Sequence, residues 1–182
     1  MVLDRVLDLR GLIQDLVADG RLKQADANML LGASRTREQA IMHPLAYIAS
    51  QNLDDVQRPG HSLNGDVLTE WLANKAKLPL FHIDAMKIDV AKCTEVMSYA
   101  FAKRHGILCV KVEADHVVVA CTQPFMAGWE PQVEHVARRA VKRVVANPAD
   151  IERFMVEFYT LARSVSGASG ATAASAITNF EQ

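Results

Sequence analysis

Four cations within six residues, Arg138, Arg139, Lys142 and Arg143, form the densest charged cluster of the chain. Guanidinium groups fork onto phosphate or carboxylate oxygens, and a lysine adds a mobile point charge. The spacing therefore suits a phosphate-bearing ligand or an acidic partner. The same run also reads as a solvated face at a helix end, where positive charge complements the helix dipole. Lys103 and Arg104 join it only if the fold brings them close. With His105 they stand at the expected end of another helix, where cations are favoured for the same reason.

Other chemistry is sparse. His43, His61, His82, His105, His116 and His135 are scattered, and none pairs with another at helical spacing. Cys93, Cys109 and Cys121 lack CxxC spacing and sit in apolar stretches, which predicts buried reduced thiols rather than a disulfide or a zinc site. The chain contains no GxxxxGK[ST], GxSxG or HExxH sequence and no EF-hand loop. No catalytic, metal or cofactor-binding residue is assigned.

Composition narrows the class. Of 182 residues, 50% are hydrophobic and 23% charged, with a net charge of −1. That is a globular composition without a bulk bias toward nucleic acid or an anionic membrane. No apolar run reaches the roughly 18 residues of a membrane span, and the N-terminus lacks the form of a secretory signal.

The elements that would position these groups follow from periodicity. Val2, Val6, Leu9, Ile13, Leu16 and Val17 predict a first helix, closed by Gly20. Residues 23–31, a short stretch after Thr36 with Gln39 as a capping box, and residues 43–52 predict three more. After a polar break over 54–65, Asp66 is the expected cap of a fifth. Residues 78–83 read as extended and 90–103 as one helix ended by Gly106. Residues 107–112 and 117–121 read as a hairpin, 124–137 as partly helical, and 141–145 as a third strand. A last helix covers 151–163. Trp71, Trp129, Phe154, Phe158 and Tyr159 are expected in the core. Trp129, in an irregular stretch, is also a candidate contact residue.

The fold class is α+β: an N-terminal helical subdomain, then a small antiparallel or mixed three-stranded sheet packed with helices as a two-layer sandwich. The expected divisions are residues 1–76, 77–163, and a Ser-, Gly- and Ala-rich flexible linker over 164–182. The ending, 177–182, reads as the start of a following domain.

Several segments in order resemble one family. Leu78-Pro79-Leu80-Phe81-His82-Ile83-Asp84, then Ala102-Lys103-Arg104-His105-Gly106-Ile107-Leu108, then Val117-Val118-Val119-Ala120 with Gln123-Pro124, then Ala146-Asn147-Pro148-Ala149-Asp150-Ile151, run at the family's spacing. Together they resemble the N-terminal domain of the type II secretion and type IV pilus assembly ATPases (general secretory pathway protein E-like). The resemblance implies a hexameric motor C-terminal to this chain, with ATP and Mg bound there and no cofactor here. It implies docking to the cytoplasmic domain of an inner-membrane platform protein, contact with the chain's own ATPase domain, and a cytoplasmic location peripheral to the membrane through that partner. It implies no nucleic acid and no membrane insertion. Some members bind cyclic-di-GMP through paired helical motifs, RLGxxLVxxGLL. Leu16, Val17, Gly20 and Leu22 align with the first, but Gly11-Leu12-Ile13 replaces its head. His43-Pro44-Leu45 with Ile48 and Leu53 aligns with a second copy that lacks Arg and Gly. The missing arginine would have supplied the planar cation for guanine or phosphate.

If the motor lies outside this chain, the isolated chain releases no phosphate from ATP above buffer background. Measurable turnover in a phosphate-release assay would overturn the reading.

Overall fold

A computed structural model of the chain describes the backbone of residues 4–178 and the side chains of residues 4–168. The β-branched runs form strands β1 (Ile107–Val112) and β2 (His116–Cys121), joined by a tight turn in which the Glu113 N–H donates to the His116 carbonyl at 2.8 Å. They pair antiparallel, Ile107 opposite Cys121, with an irregularity between Cys109 and Lys111. β3 (Ala140–Val145) lies parallel to β2, Ala140 opposite His116 and Val145 opposite Cys121. The sheet order is β1-β2-β3, so β2 is central and the sheet is mixed. The extended segment at Pro79–Phe81 adds to the outer edge of β3: the Phe81 N–H donates to the Val145 carbonyl and the Val145 N–H to the Pro79 carbonyl, each at 2.8 Å.

Helices cover this sheet. The N-terminal helices are α1 (Leu9–Ala18), α2 (Gln24–Gly32), α3 (Arg37–Ile41), α4 (Pro44–Ser50) and α5 (Gly65–Ala76). α6 (Val90–Val96), α7 (Tyr99–His105), α8 (Glu130–Ala137) and α9 (Pro148–Thr178) are interleaved with the strands. α6, α7 and α9 pack on β1, α9 also on β2, and α5 and α8 on β3, while α4 touches both α5 and α9. This is the expected α+β arrangement, helix-rich around a three-stranded mixed open sheet. One continuous cluster of buried side chains runs from Leu12, Ile13 and Leu16 through Ile48, Leu68 and Leu72 to Val117, Val119 and Ile151.

Several boundaries differ from periodicity for local reasons. α1 starts at Leu9, not Val2, because the Asp8 carboxylate accepts from the Gly11 N–H at 3.1 Å. Residues 4–8 instead run along the loop before α8: the Arg5 N–H donates to the Phe125 carbonyl at 3.2 Å and the Leu7 N–H to Gln123 Oε1 at 2.8 Å. The capping box of α3 forms, Thr36 with Gln39. Asn64, not Asp66, caps α5, its side-chain Oδ1 accepting from the Val67 N–H at 2.9 Å. The single helix expected over 90–103 is two. Met97 is extended, φ −152° and ψ 155°, and Ser98 caps α7 by accepting from the Phe101 N–H at 3.1 Å. The break is held from α9, where the Tyr159 hydroxyl donates to the Met97 carbonyl at 2.7 Å.

The flexible linker expected from 164 onward is instead the continuation of α9 to Thr178. The Ser164 and Ser166 hydroxyls donate one turn back to the Thr160 and Ala162 carbonyls, each at 3.0 Å. Alanine recurs through the stretch and carries the least helical penalty of any residue, which offsets the glycines. Residues 179–182, part of the ending read as a further domain, lie outside the described residues, as do residues 1–3. Among the described residues no helix is long and apolar enough to cross a membrane.

Tyr159→Phe removes the donor but keeps the ring, leaving the Met97 carbonyl without its partner in a buried position. The expected loss is about 1–3 kcal/mol, read as a lower urea midpoint at unchanged slope.

Candidate functional site

The cation cluster does not form one patch. Arg138 ends α8 in the left-handed region, φ 53°, and Arg139 follows it into the turn before β3. Arg139 Nε donates to the Ala114 carbonyl at 3.3 Å and Nη1 to the Ala137 carbonyl at 3.2 Å. Lys142 and Arg143 are neighbours on β3, and successive strand residues project to opposite faces. Arg143 is inward-tied: it pairs with Glu130 and its Nη1 donates to the Pro124 carbonyl at 2.7 Å. Two of the four cations, Arg139 and Arg143, thus hold the α8–β3 loop together, and Arg138 and Lys142 stand exposed. Lys103 and Arg104 do not join them. They line a separate cavity with His105, Gln123 and Trp129, to which no residue of 138–143 contributes.

The dinucleotide-like motif is likewise drawn into the framework. Leu16 and Leu22 are buried, Val17 is half-buried, and Gly20 takes φ 70°, the conformation for which a glycine is suited at a helix end. The Leu16 carbonyl accepts from the Arg21 N–H at 2.9 Å, closing the turn. Arg21 then makes a bidentate pair with Asp55, Nε to Oδ1 at 3.1 Å and Nη2 to Oδ2 at 2.8 Å. Asp55 is 1% exposed, and its Oδ1 also accepts from the Gln57 N–H at 3.0 Å. The guanidinium holds the Asp55 carboxyl below its ordinary range, against the opposing effect of burial. Beside it, Trp71 Nε1 and Lys75 Nζ both donate to Asp19 Oδ2, at 2.8 and 3.2 Å. Arg21, the arginine between Gly20 and Leu22 of this motif, is therefore already saturated by a carboxylate. Of the second aligned copy, His43, Leu45, Ile48 and Leu53 are structural: Leu45, Ile48 and Leu53 are core residues and His43 caps α4.

Two of the three buried thiols are held protonated by their environment, while the Cys93 pKa is lowered by its hydrogen bond with Cys109. Cys121 is pushed up to about 12 by burial. Cys109 is raised by its contact with the Cys93 thiol and by burial. Trp129, a candidate contact residue in sequence, is 3% exposed, and its Nε1 donates to the Met126 carbonyl at 3.1 Å. The irregular loop folds back over its own aromatic.

The concavity best suited to receiving another molecule was not legible in the sequence. A groove of about 690 Å³ opens between the α6–α7 break and α8, floored by Val96, Met97, Phe101 and Val133 and rimmed by Gln132 and His135. Val136 stands on its lip with 61% of its surface exposed. The groove exists because Met97 is extended: a continuous helix over 90–103 would have carried Phe101 along another direction. The only sequence signal is Ser98, a helix-capping residue inside an apolar period.

Comparison with known proteins places this geometry in a class. Residues 76–165 match the MshEN domain and belong to that family, the N-terminal domain of type II secretion and type IV pilus ATPases. The chain is 33% identical over 168 residues to the type IV pilus assembly ATPase TfpB of Acinetobacter baylyi (strain ATCC 33305 / BD413 / ADP1). The match covers 92% of this chain but spans only 29% of that relative's length. Among solved structures, MshE with cdg (cyclic-di-GMP) aligns at TM-score 0.54 and 16% identity, over 84% of this chain and 99% of that one. The N-terminal domain of XpsE aligns at TM-score 0.50 and 17% identity, over 83% and 96%. At these identities the two structures show the shared fold.

Arg21→Ala leaves the Asp55 carboxylate buried without its cation, with an expected loss of about 3–5 kcal/mol by chemical denaturation. Because the Asp55 pKa is depressed in the folded state, this contribution is present above the ordinary carboxylate pKa and is lost as pH falls through the folded value. The difference between wild type and variant therefore shrinks in acid, measurable as converging denaturation midpoints below about pH 4.

Proposed function

We propose that this chain is the non-catalytic docking and regulatory region at the N-terminus of a type IV pilus assembly or type II secretion ATPase. The observation that carries the reading is the match to TfpB, which takes in nearly this whole chain and under a third of the relative. ATP and Mg then belong to a motor domain outside this region, working as a hexamer. The docking partner is the cytoplasmic domain of an inner-membrane platform protein, which would keep the protein cytoplasmic and peripheral to the membrane.

Two features of the chain support docking over catalysis. Several of its titratable side chains are engaged in holding elements together, as with Arg21–Asp55, Arg143–Glu130 and Asp19 under Trp71. The groove between the α6–α7 break and α8 is apolar, with Val96, Met97, Phe101, Val133 and Val136 around it. A groove of that character suits an apolar side-chain row of a partner helix.

A second reading, cyclic-di-GMP sensing, is favoured by the fold shared with MshE, whose structure carries that ligand. Against it stand the burial of Leu16 and Leu22 and the engagement of Arg21 by Asp55.

Two binding measurements separate the readings. The isolated chain is expected to bind the soluble cytoplasmic domain of its platform protein, and Val136→Asp to weaken that binding at least about tenfold, since a charge placed in an apolar contact must be desolvated. Absence of binding at low salt would sink the docking role. Calorimetric titration with cyclic-di-GMP is expected to give no heat at high micromolar ligand, and saturable heat would instead establish the second reading.

A further inference from the structure

His43 has both ring nitrogens committed in different directions. It is the N-cap of α4, and its Nδ1 accepts from the Leu45 N–H at 3.1 Å. Its Nε2 lies 2.8 Å from the Thr122 carbonyl, at the end of β2. A carbonyl only accepts, so Nε2 must carry the proton and Nδ1 must be bare. The neutral imidazole with hydrogen on Nε2 satisfies both partners. The imidazolium cannot, because a proton on Nδ1 would face the Leu45 N–H, donor against donor.

The residue it grips is itself a junction. The Thr122 N–H donates to the Gly106 carbonyl at 3.0 Å and its hydroxyl donates to the same carbonyl at 2.9 Å. Gly106, at φ 62°, ends α7 and leads into β1, and a Cβ there would run into Thr122 Oγ1. His43 therefore connects the N-terminal helices to the point where β2, α7 and β1 meet. α4 has only seven residues, three of them core residues (Leu45, Tyr47 and Ile48), so its first turn leans heavily on this cap.

We propose that His43 is a proton-operated latch joining the N-terminal helical unit to the sheet. Neutral, it caps α4 and holds Thr122. Protonated, it loses the cap, and the ring leaves its site for solvent, taking the start of α4 with it. The surroundings favour the neutral form: burial lowers the ring's basicity, with the Thr122 hydrogen bond opposing in part. A cavity of about 370 Å³ beside the ring brings Lys103 and Tyr99 from α7 and Glu152 from α9 toward it. Lys103 and Glu152 are both exposed and of opposite sign, so neither offers the buried carboxylate that would stabilise an imidazolium. α1 and α5, which also pack on α4, bring no charged side chain to that cavity. The folded pKa being depressed, the latch is fully closed above the ordinary histidine pKa, about 6.5. It opens as pH falls below that value.

The test is hydrogen–deuterium exchange of the whole chain between pH 7.5 and 5.0, corrected for the intrinsic pH dependence of amide exchange. Uptake across α3 and α4 is expected to rise on the order of tenfold in acid relative to β1 and β2, since one linked proton scales opening with acidity below the free pKa. His43→Gln is expected to abolish this pH dependence. Should that variant fail to fold, the ring resonances of His43 in the wild-type chain give an independent reading, with titration expected well below the free value. An α4 uptake that does not respond to pH, a response that survives in His43→Gln, or a His43 ring titrating at or above the free value would each overturn the latch.

Discussion

Strand β2 is enclosed on both faces over its second half, and only His116 and Val118 at its start are half-buried. Val117, Val119, Ala120 and Cys121 are each 0% exposed, and three of them are consecutive, so both faces are covered over that stretch. A central strand of this kind cannot be stabilised by helices on one side alone. The hairpin with β1 and the parallel pairing with β3 satisfy its backbone, and helices from both halves of the chain must then close over it. That requirement binds the N-terminal helices to the rest: α4 and α5 reach α9 and β3, and residues 4–8 lie along the loop that leaves β2. The sequence divides between residues 76 and 77, after α5, yet the core is continuous across that point.

Closing apolar layers over a small sheet brings backbone ends and polar side chains inside, and the molecule answers each with a named partner. Tyr159 serves the Met97 carbonyl at the α6–α7 break, His43 the first turn of α4 and the Thr122 carbonyl, and Arg21 the Asp55 carboxylate. Among the described residues no buried side-chain nitrogen or oxygen lacks a partner. An unmade buried hydrogen bond costs more than a made one contributes, so these pairs act as constraints on geometry more than as sources of stability. They also explain why charged residues that look available in sequence are not. Arg143 and Arg139 support a loop, and Arg21 is occupied.

Much of the architecture was legible because it rests on local rules. Glycines at helix ends, the Thr36–Gln39 capping box, the β-branched runs of the hairpin and the apolar period of α9 all declare themselves within a few residues. The misjudged elements are those where a non-local partner decides. The 90–103 helix breaks because Tyr159, more than fifty residues away, takes the Met97 carbonyl. The first helix begins late because residues 4–7 find partners at 123–127. Trp129 is core because its own loop closes over it.

By itself the sequence determined the class of fold, the absence of the familiar phosphate-loop, esterase and zinc-peptidase motifs, and, through ordered short motifs, the family to which 76–165 belongs. Those properties depend on residue type and spacing along one chain. Tertiary structure alone decided which cations are free, where the apolar groove opens, and that His43 joins two units of the molecule. A side chain's availability depends on its neighbours in space, and His43 and Thr122 are 79 residues apart. No periodicity or motif encodes a hydrogen bond across that distance. Packing of the buried central strand brings the two together.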